Sequence, residues 1–107
     1  MTETKISVAK EFSQFPAGRL LNDGPFSGQA FRENLLVPAL KRADKVDVII
    51  DEVSGYGSSF LEEAFGGLVR SEGFKPDELL KKIKLTTHDP SFEMYIDEIL
   101  DYIKSAK

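Results

Sequence analysis

The tightest constraint on what this chain can fold into is the stretch 46–69, VDVIIDEVSGYGSSFLEEAFGGLV. Val46, Val48, Ile49 and Ile50 crowd β-branched side chains between charged neighbours, the pattern of a short strand covered on both faces. Gly55 and Gly57 then break the periodicity and give the backbone freedom for a tight, left-handed turn. Ser59-Phe60-Leu61-Glu62 has the capping-box spacing, which predicts Ser59 as a helix N-cap and Glu62 as its reciprocal partner. Phe60, Ala64, Phe65, Leu68 and Val69 give that helix its apolar face, and Gly66-Gly67 predicts close approach of helix and sheet. A loop joining the carboxyl end of a strand to the amino end of a helix is where open α/β folds often place their chemistry. This corner is therefore the first candidate site.

The flanking chain alternates strand and helix signals. Ile6-Ser7-Val8-Ala9 reads as an edge or second-from-edge strand, and Phe12 and Phe15 read as packing residues. Arg19-Leu20-Leu21 predicts a second short strand before the turn residues Asn22-Asp23-Gly24-Pro25. A long helix starts at Ser27 or its neighbour, with Phe31, Leu35, Leu36, Ala39, Leu40 and Ala43 on its inner face. Pro38 lies inside it and predicts a bend close to Val37. Gly73 ends the helix of the central corner, and Pro76 opens a short helix over 77–82. Ile83–Thr87 reads as the last strand. Asp89-Pro90 caps a final helix carrying Phe92, Ile96, Ile99, Leu100 and Ile103 on one stripe. This alternation predicts helices against a small, mixed or mostly parallel sheet.

Composition narrows the function classes. A chain of 107 residues fits one domain spanning 1–107. The formal net charge is −4, and the one basic cluster is Lys81, Lys82 and Lys84, which argues against nucleic acid as a partner. No apolar run approaches the length that spans a bilayer. Without cysteine there is no disulfide, thiolate or cysteine–metal chemistry. The polar start of the chain, Met1 to Lys5, lacks the apolar core of a signal peptide, and the expectation is a cytoplasmic protein.

Ser27-Gly28-Gln29-Ala30-Phe31-Arg32, the strand ending at Asp51, and the run from Gly55 through Ser58, Ser59 and Phe60 to Gly66 resemble the STAS-like domain family. These are small bacterial proteins related to the STAS domains of sulfate transporters and anti-sigma-factor antagonists. The resemblance runs from Ile6 to Thr87. It implies an α/β fold with a sheet of four to five strands, helices mainly on one face, and a regulatory role through protein contacts without enzymatic activity. In the related antagonists, a serine at the start of the helix after the central strand is phosphorylated by a partner kinase that uses ATP. That serine matches Ser58, or Ser59 if the loop shifts by one. The chain departs from the antagonist motif at Gly57, where an aspartate stands, and at Phe60, where a glycine stands.

Two functional classes follow. In the first, Tyr56, Gly57, Ser58 and Phe60 form an exposed corner that docks on a protein partner, a histidine-kinase-like ATPase, with Ser58 or Ser59 as the phosphorylation site. Helix capping alone also accounts for both serines. In the second, Asp51, Gly55 and His88 hold a small ligand or nucleotide, although the P-loop lysine and spacing are missing. His88 is the lone histidine, so neither a metal site nor a catalytic triad is expected, and no cofactor is implied. Glu62 and Glu63 are adjacent on a helix, point in different directions and cannot act as a carboxylate dyad. Arg19 and Arg32 are expected to anchor the loop after Asp23.

Overall fold

Val46 and Val48 turn to one side of the central strand, β2 (Lys45–Ile49), while Asp47 turns to the other. β2 lies between β1 (Glu3–Ser7) and β3 (Ile83–Thr86), and both pairings are parallel. The computed structural model describes residues 2–107. It contains a three-stranded, wholly parallel sheet where four to five strands and a mixed alternative were expected. Residues 19–21 do not form the expected strand. They lead into a tight turn at Leu21–Asp23, because the Asp23 carboxylate accepts the amides of Arg19 and Leu20 and offers the backbone an alternative to a ladder.

Parallel neighbours require crossovers, and right-handed crossovers in the order β1-β2-β3 place every connecting helix on the same face. The first crossover holds α1 (Val8–Glu11) and α2 (residues 28–42). The second holds α3 (residues 58–70) and α4 (Pro76–Lys82), and α5 (Glu93–Ser105) completes the layer. Ile6, Val46, Val48, Ile83 and Leu85 face this layer and join the core. Lys5, Asp47 and Lys84 stand in register on the opposite face, where both lysines are exposed. The strand is therefore covered by helices on one side only, a correction to the apolar-run reading. Asp47 is accommodated there by the Thr86 hydroxyl, which donates to it at 2.6 Å.

Local chemistry sets the helix ends. Ser27 caps α2 by accepting the Ala30 amide at 3.2 Å. The expected bend at Val37 takes the form of a widened turn over Arg32–Leu36, in which the Val37 amide reaches back to the Arg32 carbonyl. That extra residue lets a helix carry Pro38, which has no donor of its own. A matching wide turn, Glu62–Gly66, interrupts α3. α3 ends at Arg70, and Gly73 at φ 80 turns the chain so that the Phe74 amide returns to the Leu68 carbonyl. Asp89 caps a short turn at Pro90–Phe92, one step before α5 itself.

Phe31, Phe60 and Phe65 fill the space between α2 and α3, with Leu36, Leu40, Leu61, Leu68, Leu79, Ile99 and Ile103 around them, all essentially inaccessible. The two helices can approach because Gly28 presents only backbone: a Cβ there would lie 2.4 Å from the Phe60 carbonyl oxygen. Gly67 leaves the space that the Arg32 guanidinium occupies, and a Cβ on Gly66 would meet Glu62 and the α5 backbone. The glycine pair thus serves helix–helix contact, whereas contact with the sheet was expected. Gly28→Ala should destabilise the fold by about 1–3 kcal/mol through overpacking against backbone that cannot yield. The check is a lower denaturant midpoint with an unchanged slope.

Candidate functional site

At the carboxyl end of β2 the chain is strapped down before it turns. The Asp51 carboxylate accepts the Thr87 hydroxyl on one oxygen and the His88 amide, at 2.8 Å, on the other. These bonds tie the end of β2 to the end of β3. Glu52 then adopts φ 69, an uncommon conformation for a side chain with a Cβ, and the Ser54 amide donates to the Gln14 carbonyl at 2.9 Å.

Tyr56 folds back under this loop. Its hydroxyl donates to the Ile50 carbonyl at 2.8 Å, and its ring meets Tyr95 edge-on at 5.2 Å and Phe92 at 6.3 Å. Only 8% of Tyr56 remains accessible, so the expectation of an exposed tyrosine is overturned. Phe60 is buried as well, against Phe12, Phe31 and Tyr56, and offers no surface to a partner. Both rings are drawn inward by an aromatic cluster that joins α2, α3 and α5, residues far apart in sequence. Burial pushes the Tyr56 hydroxyl well above its ordinary 10.0, and the Asp51 charge adds to the effect.

What stays outside is Gly57, Ser58 and Ser59. Gly57 is the N-cap, in extended conformation at φ −78 and ψ 149, and α3 begins at Ser58. Ser59 is therefore inside the first turn, and the predicted capping box does not form because Glu62 is engaged elsewhere. Its carboxylate accepts from Arg19 and, at 2.7 Å, from Arg70. Neither serine hydroxyl makes a hydrogen bond among the described residues. The two side chains project from the start of a helix whose first amides are free of intrahelical partners.

Behind them lies an ion network. Arg32, 3% exposed, donates through one terminal nitrogen to the Glu63 carbonyl at 2.6 Å and the Glu63 carboxylate at 2.7 Å. Its Nε reaches Glu72 at 3.0 Å. Arg19 and Arg70 each approach both Glu62 and Glu63. The bond from Arg70 holds the Glu62 carboxyl below the usual carboxylate range, with Arg19 adding to the effect. Arg19 ties the segment before Asp23 to Glu62 and Glu63, and Arg32 joins the two wide turns, whereas both were expected to anchor the loop after Asp23. Sequence reading missed this network because its members are 31–44 residues apart in most pairs, and no spacing rule links them.

Asp51, Gly55 and His88 do come to one end of the sheet. Both Asp51 oxygens are taken by loop support, and a Cβ on Gly55 would lie 3.4 Å from the Tyr95 hydroxyl. Thr87, His88, Asp89, Pro90 and Glu93 line an open cleft of about 130 Å³, below the roughly 300 Å³ at which small-molecule pockets begin. Among the described residues no group of His, Asp and Glu is placed to hold a metal ion, and no helix is long and apolar enough to cross a membrane.

The sequence from 27 to 92, more than half of the chain, matches the model of a family described as a STAS-like domain of unknown function (DUF4325). The chain belongs to the STAS-like domain family. No curated protein and no solved structure matches it. The matched span opens at the Ser27 cap, takes in the strapped strand β2 and the Gly57–Ser59 turn, and closes at Phe92, which packs on Tyr56. The STAS-like match therefore covers the corner and the residues that hold it in place.

Two outcomes test this construction. Arg32→Ala should cost about 3–5 kcal/mol in chemical denaturation, since it removes the nearest partner of the buried Glu63 carboxylate and empties the space beside Gly67. Tyr56→Phe should cost about 1–3 kcal/mol at neutral pH by leaving the Ile50 carbonyl unpaired. In the unaltered chain the Tyr56 contribution is complete below pH 10.0 and is lost as pH rises above it, because there the unfolded hydroxyl ionises before the folded one. Tyr56→Phe should flatten that alkaline slope in a series of denaturation curves.

Proposed function

We infer that this STAS-like domain is a regulatory protein-interaction module without enzymatic activity. Its point of contact is the first turn of α3, and phosphate on Ser58 or Ser59 is its switch. The partner that adds or reads the phosphate is a histidine-kinase-like ATPase. The observation that carries the reading is that the corner is rigid underneath and open on top. Tyr56, Phe60 and Asp51 are locked below, while two adjacent serine hydroxyls stand exposed, without hydrogen-bond partners among the described residues. STAS-like domains in general act through protein contacts, which supports the same class.

The electrostatics suit a phosphate. The free amides of the first helical turn and the positive end of the helix accommodate an anion. Glu62 and Glu63, which follow closely, are already paired with Arg19, Arg32 and Arg70. Ser58 and Ser59 precede Glu62 by four and three positions and share its side of the helix. A phosphate there competes with Glu62 for Arg19 and so bears on the loop that Arg19 carries. That loop displays Phe15, Leu20, Leu21 and Phe26, each more than 40% exposed. Phe15 is thus a surface residue, where packing was expected, and apolar side chains beside the corner widen the surface open to a partner.

Incubation with ATP and extract from the source cells should add phosphate at Ser58 or Ser59, read by mass spectrometry and lost in Ser58→Ala/Ser59→Ala. A thermal-shift screen against nucleotides forms the opposing arm, since a nucleotide at 100 times its Kd adds about 2.7 kcal/mol. No phosphate on either serine together with a clear nucleotide shift would overturn the switch in favour of a ligand site at Asp51, Gly55 and His88.

A further inference from the structure

β1 is an edge strand, and its outward backbone groups can be assigned. The Thr2 carbonyl accepts the Lys45 amide at 3.0 Å, so Thr2, Thr4 and Ile6 direct their backbone groups toward β2 while Glu3, Lys5 and Ser7 direct theirs away. The Ser7 amide is already satisfied by the Glu11 carboxylate at 2.7 Å. The outward amides and carbonyls of Glu3 and Lys5 have no hydrogen-bond partner among the described residues, and both side chains are exposed without an ion pair. An open edge of this kind is a template for another strand.

We propose that this edge is an interface with a second copy of the chain, with β1 pairing antiparallel to β1 about a two-fold axis at Thr4. The register follows from elimination. In an antiparallel pair, outward-facing residues must oppose one another to exchange hydrogen bonds. Centring the axis on Glu3 or on Lys5 sets that charge directly against itself. Centring it on Ile6 requires the Ser7 amide, which Glu11 holds. Centring it on Thr4 sets Glu3 against Lys5 of the second copy and Lys5 against its Glu3. Each of these pairs exchanges two backbone hydrogen bonds and joins opposite charges on the open face. Thr4 then meets Thr4, and Ile6 meets Thr2, on the helix side. The free edge of β3 offers no frame that joins opposite charges, and the one that pairs its outward Ile83 with Leu85 sets Lys84 against Lys84. The product is a continuous six-stranded sheet, and its antiparallel centre sends the two Ser58–Ser59 corners to opposite ends.

Sedimentation equilibrium over a concentration series of the full chain tests the pairing. The unaltered chain should associate reversibly as a dimer. Lys5→Glu places glutamate against glutamate twice and should weaken association about tenfold or more, given the energies of cross-strand charge pairs. Glu3→Lys should do the same, and the double exchange Glu3→Lys/Lys5→Glu should recover the original dissociation constant. Circular dichroism controls for folding in each variant, because these side chains face solvent. A chain that stays monomeric at about 1 mM, the weak end of measurable association, would overturn the proposal and make Lys5 a guard against edge pairing. Dimers indifferent to both single changes would overturn it equally.

Discussion

Parallel pairing of three short strands governs most of what this protein is. Parallel neighbours cannot be joined by tight hairpins, so each pair needs a helical crossover, and the constant hand of those crossovers commits all helices to one face. The carboxyl ends of β2 and β3 consequently share an end of the sheet, where Asp51 can reach Thr87 and His88. The turn into α3 begins from that fixed point. Its position in space is a consequence of topology before any residue in it is considered.

The polar interior adds a second level of order. Arg32 lies in a space that Gly67 leaves open, between two widened helical turns, and its guanidinium is satisfied by Glu63 and Glu72. A buried charge of this kind contributes little net stability relative to an apolar filling, but it penalises every arrangement in which its partners are absent. It therefore fixes how α2 and α3 sit against each other. The same contacts set the height of the Ser58–Ser59 turn above the sheet, since Glu62 and Glu63 follow it on one helix.

The elements with strong local signals were legible from the chain alone. Ser27 and Pro76 at helix starts, the central strand and the stripe ending in Ile99 and Ile103 all rest on short-range chemistry, and the structure agrees. The family resemblance was legible for the same reason, because it was read from contiguous runs such as that through Gly55, Ser58 and Ser59, which lie inside the matched span 27–92. The errors share a different cause. Ser59 and Glu62 had the spacing of a capping box, but Arg19 from another segment and Arg70 from the far end of α3 hold the Glu62 carboxylate instead. Tyr56 and Phe15 exchanged the surroundings expected of them, because aromatic burial depends on which distant rings converge.

Local sequence, then, determined where the central and last strands and the helices from Ser27 onward form, and that a glycine-serine corner separates β2 from α3. Those features depend on side chains within a few positions of one another, where propensity and capping decide. Tertiary structure alone decided that the sheet has three parallel strands, that Tyr56 and Phe60 lie inside while Ser58 and Ser59 lie outside, and that three arginines gather behind them. Each of those outcomes is set by contacts between residues tens of positions apart, whose encounter depends on the path of the whole chain.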